Sequence, residues 1–173
     1  MRHACRERID FDTRGYTHAM TSLHIGAAGE ILVQYQLLKR EIDSARMTTD
    51  SGIDLVVYSP VDAKATTVQV KTVKHPGPAG GTGQSAVGLS FPDNCRADLL
   101  AVALLSTDTV WLFTMSEART WAQQLSPKGQ RKLYWYTDRK RPQINGVPLI
   151  ATDMDQFLLE RRADELFPTE VSA

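Results

Sequence analysis

The segment that most restricts the fold of this chain is an uninterrupted apolar run, LLAVALL at residues 99–105. Successive side chains of a β-strand point to opposite sides of the sheet, so a half-exposed surface strand would alternate apolar and polar residues. A run without polar positions is typical of a central strand that is covered on both faces. We therefore expect a domain with layers of structure on both sides of one sheet.

A helix is predicted upstream of this run. It begins near Ser22, which is predicted to be the N-cap residue, and it ends between residues 40 and 43. Six apolar residues of this segment recur at helical spacing and are expected to face the core: Ala28, Ile31, Leu32, Tyr35, Leu38 and Ile42.

Strand patterns are found at residues 45–49, 53–58, 66–72 and 110–114. A short turn separates residues 53–58 from 66–72, so these two strands are expected to pair as a hairpin. The Gly- and Pro-rich residues 76–83 are predicted to form a mobile loop. Helices at about 116–125 and 153–166, with a short strand at 147–150, complete the pattern. This order predicts an α/β fold with a mixed central β-sheet flanked by helices.

Length, charge and cysteine content exclude several classes of protein. A chain of 173 residues forms one domain, which we divide into an arm (1–20), a core (21–125) and a C-terminal extension packed on the same domain (126–173). No apolar run has the length of a membrane span or the character of a secretory signal, and the two cysteines lack zinc-site spacing. A reduced, cytoplasmic protein is expected. The 20 basic and 20 acidic residues cancel, which counts against a uniformly basic nucleic-acid binder but leaves room for a local basic cleft.

The hairpin holds the residues that indicate chemistry. Asp54 lies among apolar neighbours at the start of its strand, where an unpaired carboxylate would be costly to bury. Gln69 and Lys71 are two residues apart, so their side chains leave the same face of the next strand. Magnesium binds carboxylate, carbonyl and amide oxygens, so Asp54, Gln69 and the Val70 backbone carbonyl are candidate ligands. A bound Mg²⁺ activates water and offsets phosphate charge, and Lys71 would stabilise the developing phosphorane.

Glu30 is the fourth candidate. Its helical neighbours Gly26, Ala27, Val33 and Gln34 are uncharged, which is unusual for a glutamate on a solvated helix face. We expect Glu30 to face the metal or its water shell, and Gly26 and Ala27 to permit close approach of the helix. Each residue also has a plainer interpretation, as a turn carboxylate, a solvent-facing strand residue or a surface glutamate.

Taken together, Glu30, Ile53-Asp54 and Gln69-Val70-Lys71 resemble the E…(P)D…(D/E)xK signature of the PD-(D/E)XK nuclease superfamily. The QxK form is similar to that of small bacterial enzymes, including homing endonucleases encoded in group I introns. The likeness covers about residues 22–115 and implies a restriction-endonuclease-like core, a DNA substrate, and Mg²⁺ with Mn²⁺ as a substitute. Ile53 replaces the usual proline, and Gln69 replaces a glutamate, which removes one negative charge from the implied metal site.

Six residues are predicted to contact DNA: Lys74, His75, Arg131, Lys132, Arg139 and Lys140. The last four lie in a basic segment that also contains Tyr134, Trp135 and Tyr136, a mixture that can follow phosphates and stack on bases. The same mixture also fits a half-buried strand with a solvated face.

Double-strand cleavage by such a small domain implies a homodimer or homotetramer. Two other functions stay open from the sequence: an inactive DNA-binding or scaffolding module on the same fold, and a protein-interaction module.

Overall fold

The structure is a computed structural model that describes residues 20–49, 52–59, 61, 64–79, 83–138 and 148–168. The predicted arm, except Met20, and the predicted DNA contacts Arg139 and Lys140 lie outside the described residues. In the described part of the chain, no helix is both long and apolar enough to span a bilayer.

The described chain contains four α-helices, one 3₁₀ turn and nine strands. In chain order they are α1 (Ser22–Leu38), β1 (Asp43–Arg46), β2 (Leu55–Ser59), β3 (Lys64–Val73), β4 (Gly77–Ala79), β5 (Gln84–Pro92), β6 (Leu99–Leu104), β7 (Thr109–Thr114), α2 (Met115–Trp121), β8 (Gln124–Leu125), β9 (Gln130–Tyr136), α3 (Ala151–Met154), the 3₁₀ turn (Asp155–Phe157) and α4 (Leu159–Leu166).

The first sheet has the strand order β1-β2-β3-β6-β7. Only the β3–β6 pair is parallel, so the sheet is mixed, as the sequence predicted. β2 and β3 form the expected antiparallel hairpin. Every residue of β6 is buried, because its side chains enter two different cores on opposite faces of the sheet. The continuous apolar run therefore forms a strand of the middle layer of the domain, which is covered on both faces.

A second sheet, with the order β4-β5-β9-β8, was not predicted from the sequence. β4 falls within residues 76–83, which were predicted to be a mobile loop, and pairs with β5. In β5 the buried Val87, Leu89 and Phe91 alternate with the exposed Gly88 and Ser90, which is the pattern of a half-exposed strand, so the sequence contained a signal for this strand. Val87 and Phe91 point inward and pack against the first sheet.

The domain thus consists of three layers: helices, first sheet and second sheet. One core lies between the first sheet and the helices α1 and α4, and a second core lies between the two sheets. Trp111 and Trp135 meet edge-to-face in the second core, with ring centroids 5.0 Å apart. Both β9 and α4, from the C-terminal third of the chain, contribute to these cores.

The C-terminal helical segment is divided rather than continuous, in contrast to the predicted helix at 153–166. Leu158 is extended and bridges to Trp111, so α3 and the 3₁₀ turn are separated from α4. Arg162 of α4 forms an ion pair of 2.9 Å with Glu117, which also caps α2 together with Thr114. Burial alone would raise the pKa of Glu117, but the Arg162 and Thr114 hydrogen bonds hold this pKa below its usual value.

Helix α1 is rotated relative to the predicted orientation. Leu32 and Ile42 are buried as expected, whereas Ile31, Tyr35 and Leu38 are exposed. The buried positions of the helix are Gly29, Leu32, Val33 and Leu37. The N-cap is Thr21, whose hydroxyl accepts from the backbone N–H of His24, rather than Ser22.

The rotation of α1 follows from a close contact between Gly29 and Thr72 of β3. A Cβ atom built on Gly29 would lie 1.9 Å from Thr72 Oγ1, a distance that no real side chain tolerates. Gly26, which the sequence favoured for this role, has no atom within 4 Å of such a Cβ. The helix therefore approaches β3 at Gly29, one residue before Glu30.

We predict that Gly29→Ala destabilises the protein, because the new methyl group must push α1 away from β3. Overpacking of this kind costs roughly 1–3 kcal/mol. Gly26→Ala is the matched control in the same helix and should be neutral or stabilising, by up to about 1 kcal/mol. Urea unfolding of the two variants measures the difference. Equal effects would show that the Gly29–Thr72 contact does not restrict the helix.

Candidate active site

The candidate site lies where β2 and β3 separate. The pairing of the two strands ends at Leu55 and Val68, while β3 continues to Val73. Asp54 extends the pairing by one step, since its backbone N–H donates to Val68 O at 2.9 Å and its carboxylate Oδ2 accepts from Val70 N at 2.6 Å. The carboxylate thus satisfies a backbone donor that the sheet leaves unpaired, and it is fixed at the mouth of the opening.

Gln69 and Lys71 share one face of β3, while Val68 and Val70 enter the core under α1, as expected from strand alternation. Gln69 is only 5% exposed, and its Oε1 accepts from the Cys95 thiol at 3.1 Å. Cys95 lies between β5 and β6, and its hydrogen bond holds the Gln69 amide in place. Gln69 is therefore a buried residue at the base of the site and not part of a solvated face.

Glu30 reaches the site from α1 and forms an ion pair with Arg46. The Arg46 Nε lies 2.7 Å and its Nη2 lies 2.6 Å from Glu30 Oε2. Arg46 is the last residue of β1, next to the opening of the sheet. Sequence reasoning missed Arg46, because a single arginine 16 residues after the glutamate matches no spacing rule.

All four predicted site residues line one cleft of about 300 Å³. Three separate parts of the fold supply them: α1 gives Glu30, the segment before β2 gives Asp54, and β3 gives Gln69 and Lys71. Arg46, Met47, Thr48, Thr49, Ile53 and Val70 complete the lining. Within the described residues, the Lys71 side chain takes part in no hydrogen bond or ion pair.

The formal charges of the described lining residues cancel, because Glu30 and Asp54 carry two negative charges and Arg46 and Lys71 carry two positive ones. This balance differs from that of a site with a third carboxylate at position 69. It weakens the electrostatic attraction of the cleft for a cation and leaves it able to accept a phosphate.

The oxygen atoms of the cleft fit a hard divalent cation. Two carboxylates, the Gln69 amide and the Val70 carbonyl are the ligand types that Mg²⁺ and Mn²⁺ prefer. No group of three or more His, Cys, Asp or Glu side chains suited to a metal occurs in the described ranges, so most of the coordination would come from these oxygens and from water. A cation would compete with Arg46 for Glu30.

A second, larger groove of about 530 Å³ lies on the outer face of the second sheet. His75, Lys132 and Tyr134 line it, and Gly88 and Ser90 form part of its floor. The Lys132 ammonium lies 5.8 Å from the centroid of the Tyr134 ring. The groove and the cleft share no lining residue, but Val73 and His75 of the groove follow Lys71 of the cleft along the chain.

The other predicted DNA contacts differ in position. Lys74 is exposed beside the groove. Arg131 points to the opposite face of β9, where it pairs with Asp93 and donates to the Arg119 carbonyl, so its guanidinium is committed to structure. Trp135 and Tyr136 are buried in the interior, so their rings are not accessible for stacking on bases. The segment is thus largely a half-buried strand with a solvated face, the alternative interpretation from the sequence.

No protein-family model matches this chain, and comparison with curated protein sequences found no significant match. Comparison with solved structures found the bacterial homing endonuclease I-Ssp6803I, with a TM-score of 0.54 and 14% sequence identity. The alignment covers 88% of this chain and all of that one. The chain therefore has an α/β fold that is similar to that of a bacterial homing endonuclease.

Proposed function

We propose that this protein is a Mg²⁺-dependent DNA endonuclease of the PD-(D/E)XK type, with Glu30, Asp54, Gln69 and Lys71 as its catalytic residues. The observation that carries the proposal is the meeting of these four side chains, from three parts of the fold, in one cleft. The likeness to a homing endonuclease supports the proposal at the level of the fold.

The cation would be held by Asp54, the Gln69 amide oxygen and the Val70 carbonyl, with Glu30 as a ligand through water. When bound, Mg²⁺ or Mn²⁺ lowers the pKa of a coordinated water and offsets negative charge on the phosphate. In hydrolysis, a bond forms between a water oxygen and phosphorus, and one phosphorus–oxygen bond to the sugar breaks. Lys71 is placed to donate to the attacking water or to a phosphate oxygen, since no described residue binds its ammonium.

Arg46 has two roles in this proposal. Without substrate, it neutralises Glu30 and keeps that carboxylate oriented towards the opening of the sheet. With Glu30 turned to the water shell of a cation, the Arg46 guanidinium would be free to donate two hydrogen bonds to a phosphate.

The DNA would extend from the cleft into the groove of the second sheet. Lys71 and His75 are four residues apart along β3 and the segment after it, roughly 13 Å in an extended chain. At a rise of about 3.4 Å per nucleotide along one strand of B-DNA, that distance corresponds to about four nucleotide steps. Lys74, His75 and Lys132 would contact phosphates there. Cleavage of both strands would require a homodimer or homotetramer.

An inactive DNA-binding module on the same fold is the second candidate. One observation in its favour is that Gln69 stands where an acidic residue is usual and that its amide oxygen accepts from the Cys95 thiol. The other is the zero formal charge of the described residues that line the cleft. It predicts DNA binding without cation uptake or cleavage.

Asp54→Asn and Lys71→Met should each lower the rate of plasmid nicking with Mg²⁺ or Mn²⁺ by about 10²-fold or more, because each removes charge at the reacting phosphate. The amide introduced by Asp54→Asn keeps an oxygen for the Val70 N–H, so folding should survive, as circular dichroism can verify. The controls Asp164→Asn and Lys128→Met make the same changes at exposed positions away from the cleft. Undiminished nicking by a folded Asp54→Asn or Lys71→Met protein would refute the site.

Gln69→Glu and Arg46→Gln should both strengthen Mn²⁺ binding, measured by calorimetry on the DNA-free protein. Each lowers the charge of the cleft by one unit, but only Gln69→Glu adds a charged ligand, so we expect the larger gain there, about tenfold or more. Lys128→Gln is the charge-matched control. If Arg46→Gln leaves the affinity unchanged, then Arg46 does not compete with the cation for Glu30.

Lys132→Gln should reduce the slope of log affinity against log salt for a duplex by about 0.9, the value for one lost phosphate contact. Fluorescence anisotropy at several salt concentrations measures the slope. Arg161→Gln, an exposed change on α4, should leave it as in the wild type. A wild-type slope for Lys132→Gln would exclude the groove as a DNA-binding surface.

A further inference from the structure

The outward face of α1 is apolar. Of the eight large apolar side chains that are exposed in the described residues, five lie on or directly before this helix. Leu23 is 83% exposed, Ile31 and Tyr35 are each 56% exposed, and Leu38 is 62% exposed. At about 100° per residue these side chains, with Ala27, form one continuous stripe, which we call the α1 stripe (Leu23, Ala27, Ile31, Tyr35 and Leu38).

None of the five side chains of the stripe is charged, and the Lys39 ammonium lies 5.5 Å from the centroid of the Tyr35 ring at the C-terminal end of the helix. Glu30 is the only charged residue among the 17 of α1, and it points into the candidate active site. A surface helix normally has polar and charged residues on its outer face, and a helix that is apolar on all sides is normally buried. A contiguous apolar patch of this kind is typical of an interaction surface.

We propose that the α1 stripe docks against the same stripe of a second copy of this chain. The order of side-chain sizes supports self-pairing in an antiparallel arrangement. With Ile31 on the twofold axis, Ile31 meets its own symmetry mate, the small Ala27 lies opposite the large Tyr35, and Leu23 lies near Leu38. In an isologous contact each such pair occurs twice.

The absence of charged side chains from the stripe around Ile31 also favours a second copy over other occupants. A face that pairs with itself places like charges together near the axis, so a self-pairing stripe must be nearly uncharged. Residues 1–19, which precede α1, contain seven charged residues and are poorly suited to cover this stripe. The antiparallel arrangement also opposes the two helix dipoles, which is favourable.

The pairing has a consequence that rests on the proposed function. Glu30 and Ile31 are adjacent on α1, so a contact centred on Ile31 would fix the distance between two active sites. Two clefts held in this way could cut both strands of one duplex. The docking itself depends only on the stripe.

The test is the oligomeric state of Ile31→Asp by sedimentation equilibrium, with Leu125→Asp as control. Leu125 is 54% exposed and lies on β8, outside the stripe. The wild type and the control should sediment as dimers. The mass of Ile31→Asp should approach the 19.3 kDa of one chain, because its dimer dissociation constant is expected to be at least about tenfold higher. A monomeric wild type, or a dimeric Ile31→Asp protein, would overturn the proposal.

Mixing makes the test specific for self-pairing. Ile31→Lys alone should also be monomeric, and a mixture of Ile31→Asp and Ile31→Lys should form heterodimers, because each charge then meets its opposite at the axis. Failure of the mixture to associate would exclude the antiparallel pairing centred on Ile31. Removal of residues 1–19 should leave the wild-type dimer intact, and loss of the dimer would assign the contact to that segment.

Plasmid cleavage separates this proposal from the function. If both hold, Ile31→Asp nicks supercoiled plasmid at the wild-type rate but produces less linear DNA. A dimer that cuts nothing would refute the proposed function and leave the docking proposal standing, while a monomeric wild type that nicks would refute only the docking.

Discussion

The contact between Gly29 and Thr72 is the constraint on which the other functional features depend. Because Gly29 has no side chain, α1 lies directly on β3, and this contact sets the rotation of the helix. The rotation turns Glu30 into the cleft and Ile31 away from the core. A single close approach therefore positions a candidate catalytic residue and exposes the α1 stripe.

A second constraint is the early end of the β2–β3 pairing. It opens the sheet beside Gln69 and Lys71 and leaves the Val70 N–H without a strand partner. The Asp54 carboxylate accepts that hydrogen bond, which holds it in place at the opening. The same group is thus structural and, in the proposed function, a cation ligand. This dual role is the reason that Asp54→Asn is a sharper test than removal of the side chain.

The charge pattern links the cleft to its proposed substrate. Arg46 and Lys71 balance Glu30 and Asp54, so the cleft does not repel a phosphate as a purely acidic site would. Beyond Lys71 the chain continues to His75, which lines the groove together with Lys132. Arg131, one residue from Lys132, lies on the opposite face of β9 and forms an ion pair with Asp93. Because side chains alternate along β9, Lys132 faces the groove as a candidate DNA contact, while Arg131 faces the other side and has a structural role.

The sequence by itself determined the apolar strand and the β2–β3 hairpin, because these follow from local periodicity. It also singled out Glu30, Asp54, Gln69 and Lys71, which the structure brings together in one cleft. It did not determine the second sheet, because the alternation in β5 indicates a half-exposed strand but not its pairing with β9, which is distant in the chain. Nor did it determine the rotation of α1, because a helix that is apolar all round gives no periodic signal for its buried side. Arg46 and the outward position of Ile31 were decided only by the tertiary structure, through packing between segments that are distant in the chain.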